Sequence, residues 1–320
     1  MLIPHIVWAE HGLLNRLQSA LLLAVMAAFM ALLGWLLWGP DGVTTLLFTL
    51  GLLLLLNPAV SPKMVMRLYQ ARPLSRDELP ELFDMVEGLA RRAELPAVPR
   101  LYYVPSRMVN AFSVGTPDNS AIAVTGGLLD SLTWRQLGNV LAHEISHIRN
   151  RDTWVMGIAD LFSRMTSFMS VFGQILLFVN LPALMMYGVH ISWPAVFLLI
   201  FAPNLSALAQ LALSRTREYD ADLNGARLTG DPEGLAEALA RIERAQQHWL
   251  KQLMLPGMHL PEPSLLRTHP ATEERIRRLR ELQQLEPMQP VFDWPDLPVR
   301  HHLEVSDEDP RWRHAKGLWH

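Results

Sequence analysis

Four long runs of uncharged, mostly apolar residues constrain the fold of this chain more than any other feature of its sequence. The first run, Leu17–Trp38, has 22 residues, and a helix of that length crosses the roughly 30 Å hydrocarbon core of a bilayer. The turn Gly39–Gly42 separates it from a second run, Val43–Val60. This arrangement predicts an N-terminal transmembrane hairpin over residues 1–60. A cleavable signal peptide is the alternative for the first run, although no small-residue cleavage site follows it.

A second pair of apolar runs lies in the middle of the chain. Met165–Val189 and Ile191–Leu213 carry no charged residue over 25 and 23 positions, so each is long enough to span a bilayer. Prolines inside both runs would interrupt backbone hydrogen bonding in lipid, which makes a buried helical hairpin of a soluble core the alternative. On length, we predict a second transmembrane hairpin over residues 165–213.

Basic residues indicate the side of the membrane on which the rest of the chain lies. Arginine and lysine flank both hairpins at the ends away from their turns, whereas the turns themselves carry none. Because basic loops stay on the cytoplasmic side, the N-terminus and residues 61–164 and 214–320 are predicted to be cytoplasmic. The expected localisation is a multi-pass protein of the inner or cell membrane.

Composition limits the chemistry that this chain can perform. The sequence has no cysteine, which excludes disulfide scaffolds, thiol catalysis and thiolate metal sites. Its net charge of −3 gives no electrostatic indication of nucleic-acid binding. Histidine, glutamate and aspartate are therefore the only strong metal ligands available, and no nucleic-acid partner is expected.

The cytoplasmic segments predict short helices around a small sheet. Three short runs of β-type residues predict an antiparallel sheet of about three strands: Arg100–Val104, Ala111–Val114 and Ala121–Thr125. The capping-box pattern of Thr133 and Gln136 then predicts the start of a helix that continues to about Asn150. Residues 286–320 show no periodic pattern and are predicted to form a C-terminal tail.

The strongest indication of function is the sequence His143-Glu144-Ile145-Ser146-His147 on this predicted helix. Histidines at positions i and i+4 lie on one helix face, close enough to bind one ion, and the intervening glutamate can reach a water molecule there. This pattern is the zincin signature of metalloproteases. A pair of solvated surface histidines is the alternative interpretation.

A catalytic zinc ion needs a third protein ligand and one position left for water. The candidate is Glu218, which with Asp222 places two carboxylates one turn apart on a second predicted helix. One carboxylate can bind the metal while the other orients a histidine through its free ring N–H. An ordinary solvated acidic helix face is the alternative.

Taken together, these residues resemble the HtpX-like membrane zinc metallopeptidases, which are similar in turn to the CaaX prenyl proteases. The resemblance covers about residues 10–285 and leaves the tail outside. Three further motifs support it: Val109-Asn110-Ala111-Phe112, Thr125-Gly126-Gly127-Leu128-Leu129, and Thr268-His269-Pro270 followed by Arg275-Ile276.

The resemblance implies the metal ligands and the general base. His143, His147 and Glu218 match the ligands of one zinc ion per chain. Glu144 matches the general base, and Asp222 matches the carboxylate that orients a histidine ligand.

The resemblance also implies substrate-binding and transition-state residues. Asn110, Ala111 and Phe112 match the edge strand that holds the substrate backbone by β-augmentation, with a place in the core as the alternative for Phe112. His269 and Arg275 match a catalytic pair that reaches into the cleft and stabilises the oxyanion. A simple helix start at His269 and a surface cation at Arg275 are the alternatives.

The fold class expected from these features is mainly α and integral to the membrane. It has two transmembrane helical hairpins and a cytoplasmic zincin-type helical domain with a small β-sheet. The expected regions are the N-terminal hairpin 1–60, the zincin region 61–164, the second hairpin 165–213, the third-ligand region 214–285 and the tail 286–320.

The expected function is zinc-dependent hydrolysis of peptide bonds in membrane or misfolded proteins at the cytoplasmic face. The resemblance adds quality control under stress. Expected partners are membrane-protein or unfolded polypeptide substrates and the lipid bilayer, with membrane protease complexes as a candidate class.

Two other functions compete with this expectation. A CaaX-type prenyl-peptide protease is the alternative enzyme, but four spans are too few for the large chamber of that branch. A membrane scaffold with a structural zinc is the non-catalytic alternative, and such a site would not need Glu144. A metal transporter would require ionisable residues inside the spans, which have essentially none.

Overall fold

The chain forms two compact units in the computed structural model. The span unit comprises Met1–Pro58 and Val155–Thr216, and the site unit comprises Ala59–Trp154 and Arg217–His320. Within these units the described residues are 4–56, 61–187, 193–253, 272–285 and 287–303. The described residues are mainly helical, with one small sheet.

The first helix of the span unit, α1 (Pro4–Leu56), is interrupted at Gly39. Gly39 has a φ of 65°, a left-handed value that glycine adopts without steric cost. After this residue the chain returns along itself, because a Cβ added to Gly42 would lie 2.1 Å from the carbonyl oxygen of Gly34. Residues eight positions apart in a straight helix would be about 12 Å apart. The chain therefore reverses at the turn that the sequence predicts.

The other apolar runs form long helices that exceed the predicted spans. The expected run Met165–Val189 begins inside α6 (Asp152–Met186), and the run Ile191–Leu213 belongs mostly to α7 (Trp193–Thr229). Hydropathy marks only the apolar part of each helix, whereas the polar residues before and after that part also favour a helix. The unit boundaries consequently fall inside α6 and α7, at residues 155 and 216.

In the part of the chain that the structure describes, three helices are long and apolar enough to cross a membrane by length and composition. They cover Leu17–Leu46, which includes the break at Gly39, Asp152–Pro182 and Trp193–Thr229. The hairpin turn expected near His190 lies outside the described residues, as do positions 57–60 at the end of the second run.

The sheet of the site unit has four strands: β1 (Arg72–Pro73), β2 (Arg100–Val104), β3 (Ala111–Thr116) and β4 (Asn119–Thr125). Their order is β1-β2-β4-β3. The strands β3 and β4 pair antiparallel as a tight hairpin, but β2 and β4 pair parallel. The prediction of a purely antiparallel sheet is therefore wrong. The loop after β2 carries the chain past one strand position, so β4 lies in the middle and β3 at the edge.

Among the described residues, six helices lie wholly within the site unit. They are α2 (Pro62–Leu68), α3 (Pro80–Arg92), α4 (Gly126–Ser131), α5 (Trp134–Arg149), α8 (Pro232–Leu253) and α9 (Thr272–Leu285). The helix α5 begins with the predicted capping box, because Thr133 and Gln136 exchange both side chain to backbone hydrogen bonds. Its apolar face buries Leu137, Leu141 and Ile145 in the main core, which also holds the inner residues of β4 and α3.

Residues 287–303, called the C-terminal strap below, cross the beginning of α5. The backbone N–H groups of Trp134 and Arg135 donate to the carbonyls of Leu297 and Pro295 at 3.0 and 3.2 Å. These bonds satisfy donors that the first turn of a helix leaves without an internal partner. The ring of Trp294 lies against Gly138, where an added Cβ would come within 2.3 Å of it. This part of the predicted tail is thus integrated into the core of the site unit.

Candidate active site

The helices α5 and α7 bring three metal-binding side chains together. The Nε2 atoms of His143 and His147 are 3.1 Å apart. Glu218 of α7 places Oε2 3.5 Å from Nε2 of His143 and Oε1 3.7 Å from Nε2 of His147. One ligand atom from each residue lies within 4.8 Å of the others. The two sequence motifs, 71 positions apart from His147 to Glu218, therefore form one cluster.

The donor set fits a zinc ion. Two ligands 2.0–2.1 Å from zinc and separated by a tetrahedral angle lie about 3.4 Å from each other. The observed separations of 3.1, 3.5 and 3.7 Å are close to that value. Two imidazole nitrogens and one carboxylate also match the ligands found at catalytic zinc sites.

A carboxylate lies behind each histidine and defines its tautomer. Nδ1 of His143 is 3.0 Å from Asp222, and Nδ1 of His147 is 2.7 Å from Asp152. Because an ionised carboxylate only accepts hydrogen bonds, each Nδ1 carries the hydrogen in a neutral ring and each Nε2 carries a lone pair. The two Nε2 atoms are 3.1 Å apart, so neutral rings in these tautomers would bring two lone pairs close together. Such an arrangement is favourable when a cation binds between them.

The electrostatics of the cluster also favour a cation. Burial lowers the pKa of His143, but hydrogen bonds with Asp222 and Glu218 outweigh it and raise the pKa to about 10. Burial also lowers the pKa of His147. The carboxylates of Asp152, Glu218 and Glu144 outweigh this effect, so the pKa is raised overall. The surroundings that favour a proton on these rings also favour a metal ion beside them.

Glu144 lies within the same buried cluster. It follows His143 on α5, is 8% exposed, and its carboxylate is close enough to influence the pKa of His147. Its backbone carbonyl accepts a hydrogen bond of 3.1 Å from the hydroxyl of Ser113 on the edge strand β3. The helix that carries the predicted base is thus linked directly to the strand predicted to hold substrate.

Arg275 enters the cluster from α9. Its guanidinium donates to both carboxylate oxygens of Asp222, at 2.7 and 2.6 Å, and lies 3.0 Å from Oε2 of Glu218. The alternative of a surface cation is wrong, since the residue is only 5% exposed. Its guanidinium contacts the two carboxylates of α7, whereas His269, the other member of the predicted pair, lies outside the described residues.

The three predicted substrate-binding residues lie at the start of the edge strand. Asn110 precedes β3 and exchanges hydrogen bonds with Thr125, and Ala111 packs against the core that contains α5. Phe112 points to the other face of the sheet, as strand alternation requires, and its ring lies 4.7 Å from that of Tyr69. The side chain of Phe112 therefore belongs to a small core, the alternative given for it from the sequence.

Asp152 is a member of the cluster that the sequence did not reveal. It is the first residue of α6 and follows His147 by five positions, a spacing that does not place two residues on one helix face. The two side chains meet because the chain leaves α5 between them. Arg151 adopts a φ of 57° at this break. The sequence could have indicated a break between two helices directly after the histidine motif. It could not indicate that this break would bring Asp152 against His147.

Comparison with known proteins places this cluster in a family context. The chain matches the model of Peptidase family M48 over residues 77–283. It is 34% identical over 285 residues to a protease HtpX homolog of Burkholderia lata, covering 83% of this chain and 96% of the relative. The homolog of Salinibacter ruber is 36% identical over 283 residues, covering 83% and 97%, and that of Pelotomaculum thermopropionicum 37% over 278 residues, covering 83% and 98%.

A solved structure is also similar to the chain. The crystal structure of S. mikatae Ste24p aligns with a TM-score of 0.43 and 20% sequence identity, covering 84% of this chain and 66% of that chain. The family match contains every described member of the cluster and ends before the C-terminal strap.

Proposed function

Because the chain belongs to Peptidase family M48, we propose that this membrane metalloprotease is a zinc-dependent endopeptidase. We assign His143, His147 and Glu218 as ligands of one zinc ion per chain. The observation that carries this assignment is the cluster of two opposed Nε2 atoms and one carboxylate beside the buried Glu144. The spacing of these donors and the negative charge around them support zinc rather than a softer or larger ion.

The residues around the proposed zinc ion have separate roles in peptide-bond hydrolysis. A bound zinc ion supplies Lewis acidity, which polarises a peptide carbonyl and lowers the pKa of water. Glu144 accepts the proton of the attacking water and delivers it to the leaving amine. Asp222 keeps the ring of His143 in the tautomer that presents Nε2 to the ion.

Arg275 has a different role in this proposal from the one that the resemblance implies. Its guanidinium pairs with Asp222 and Glu218, which supports a role in holding these carboxylates in place. The oxyanion is assigned to His269, which stays a prediction from the sequence.

We further propose two transmembrane hairpins, with the site unit on the cytoplasmic side. The reversal of the chain at Gly39 supports the first hairpin, and the length and hydropathy of α6 and α7 support the second. The distribution of basic residues supports the orientation. It follows that the accessible substrates are membrane proteins, their cytoplasmic loops and unfolded polypeptides.

The edge strand β3 is the proposed site for the substrate backbone. Its outer edge lacks a neighbouring strand among the described residues, and its inner edge pairs with β4. An extended peptide added there would run beside α5, to which Ser113 links the strand. Backbone pairing recognises extended polypeptide with little dependence on sequence, which is consistent with quality control of misfolded proteins, alone or within membrane protease complexes.

Replacement of Glu144 by Gln tests the proposal. The amide keeps the shape of the side chain but cannot accept a proton, so we expect normal zinc content and a roughly 10²–10⁴-fold loss of peptidase rate. The measurements are bound zinc and cleavage of an unfolded, unprenylated polypeptide by the purified full-length protein. Glu94→Gln is the control, since the Glu94 side chain is 84% exposed.

Two outcomes would contradict the proposal in different ways. Wild-type rates in Glu144→Gln would favour a scaffold with a structural zinc, because such a site does not use a general base. Failure of the wild type to cleave the polypeptide, with cleavage of a prenylated peptide, would favour the prenyl-peptide alternative.

A further inference from the structure

His147 has its own supporting group on the side away from the proposed metal. Nδ1 of His147 contacts Asp152 at 2.7 Å, and the other carboxylate oxygen of Asp152 lies 2.7 Å from Nε of Arg217. The guanidinium of Arg217 also pairs with Asp220, which accepts a 2.9 Å hydrogen bond from the side chain of Asn150. Asp152, Arg217 and Asp220 are all almost completely buried. The family resemblance and the metal-binding motifs assign no role to these residues.

Three helices meet in this group. Asn150 is the residue that ends α5, Asp152 is the first residue of α6, and Arg217 and Asp220 belong to α7. Burial of three charged groups is unfavourable unless they are paired, and the pairs here add little net stability. Stability alone therefore does not explain this buried group, and its contact with His147 points to the metal site.

The arrangement repeats the one behind His143. There the order is His143, Asp222 and Arg275, and here it is His147, Asp152 and Arg217. In both, an aspartate contacts Nδ1 and an arginine holds the aspartate from behind. We infer that Asp152 and Arg217 are positioning residues for the metal site: they fix the ring of His147 so that its Nε2 presents a lone pair to the ion.

The physical basis is the coupling between the two nitrogens of an imidazole. A carboxylate at Nδ1–H makes Nε2 a stronger electron donor and prevents rotation of the ring. Arg217 prevents rotation of the carboxylate in turn, by an ion pair within a buried site. Since Arg217 directly precedes Glu218, one turn of α7 provides both the third ligand, Glu218, and the arginine that supports His147 through Asp152.

This inference rests on the proposed zinc site, and it is tested by zinc affinity rather than by activity. Asp152→Asn should weaken zinc binding by about 10–100-fold, the usual effect of losing a partner behind a ligand. Competition with a chelator measures this affinity in the purified full-length protein. Asp160→Asn is the matched control, because Asp160 lies on the same helix and pairs with Arg164 at 2.7 Å, but is exposed. Its zinc affinity should equal that of the wild type.

Arg217→Lys provides a second, milder variant in case Asp152→Asn does not fold. Lysine keeps the charge but replaces the two nitrogens of Arg217 that contact Asp152 and Asp220 with a single ammonium group, so the carboxylate is held less rigidly. Zinc affinity should therefore fall, but by less than in Asp152→Asn. The visible spectrum of the cobalt-loaded protein should change in both variants, since it reports ligand geometry, and should not change in Asp160→Asn.

The outcomes separate the inference from the proposed function. Zinc affinity and cobalt spectrum equal to wild type in folded Asp152→Asn, or in Arg217→Lys if only that variant folds, would overturn the inference and leave the zinc site intact. A wild-type protein that binds no zinc would overturn the proposed function itself.

Discussion

The span unit and the site unit bury opposite kinds of side chain. Among the described residues of the span unit, the buried polar side chains are all neutral hydroxyls: Ser19, Thr166, Ser170, Ser206 and Thr216. The site unit buries a set of charged side chains: Glu144, Asp152, Arg217, Glu218, Asp220, Asp222, Asp231 and Arg275. The outer surface of the span unit is more apolar than that of the site unit. Most large exposed apolar residues belong to the span unit, for example Phe48, Phe178 and Phe197.

The difference shows that the two units are adapted to different surroundings. Many large exposed apolar side chains are costly in water, but they are favourable against lipid tails. In the site unit, buried charges are compatible with folding only because they are paired, and such pairs give little net stability. The apolar surface of the span unit is thus explained by contact with lipid. The buried charges of the site unit are explained by the proposed metal site and its reaction.

The largest expected effect tests whether the buried charges of the site unit serve chemistry. Glu218→Gln replaces a proposed carboxylate ligand with a neutral amide, which binds zinc much more weakly. Bound zinc and peptidase activity should therefore fall together, with activity reduced about 100-fold or more. Metal analysis and a peptide-cleavage assay on the same sample measure both. Glu281→Gln on α9, whose side chain is 50% exposed, is the control. Full zinc retention in Glu218→Gln would remove this residue from the ligand set.

The sequence predicted the parts of the site that lie on one helix or that carry a motif. His143 and His147 follow from helical spacing alone, and the capping box at Thr133 correctly located the start of α5. Hydropathy predicted four spans, and among the described residues three candidate membrane helices cover parts of these apolar runs. The agreement reflects the minimum length and lack of charge that lipid imposes.

The remaining features depend on contacts that the sequence does not encode locally. The role of Asp152 arises where the chain changes direction between α5 and α6, and that of Arg217 arises where α7 meets them. The parallel pairing of β2 with β4 depends on the path of a loop. The strap has no periodic pattern, because its backbone follows the end of α5 instead of forming a helix or strand.

A charge on the outer face of the span unit would test whether that face contacts lipid. Phe178 is 78% exposed near the middle of the apolar part of α6. Arginine at the centre of a membrane helix costs about 2.5–3.5 kcal/mol of insertion free energy. We therefore expect Phe178→Arg to lower the fraction of protein that is integrated into membranes and resists alkaline extraction.

An exposed apolar residue of the site unit provides the matched comparison. Val98 lies between α3 and β2 and is 49% exposed. Val98→Arg should leave membrane integration unchanged, because its surroundings are aqueous. Equal integration of both variants would mean that the two surfaces do not differ in their solvent.

A smaller effect is expected from the apolar support of α5. Trp294 of the strap covers Gly138 and stacks on Phe292, with ring centroids 4.4 Å apart. Replacing a fully buried tryptophan with alanine lowers the free energy of unfolding by roughly 3–5 kcal/mol. Because Trp294 is half-buried, we expect a loss of about 2–3 kcal/mol. Trp294→Ala should accordingly inactivate at a lower temperature than wild type, with unchanged membrane integration. Leu297→Ala is the control in the same strap, and inactivation at the same temperature in both variants would show that Trp294 does not support the site unit.

The smallest expected effect separates two buried aspartates of the site unit by what they support. Asp222 contacts His143, whereas Asp231 pairs with Arg135 through two bonds of 2.7 Å and accepts from the N–H of Gly234 at the start of α8. Asp222→Asn should weaken zinc binding by about 10–100-fold, which corresponds to about 1.4–2.7 kcal/mol. Asp231→Asn should lower thermal stability but leave zinc affinity unchanged, because it loses a buried ion pair that contacts neither histidine. Chelator competition and thermal unfolding of both variants give the two readouts. Equal losses of zinc affinity would mean that the buried charges act through general stability, and the chemical explanation of the site unit would fail.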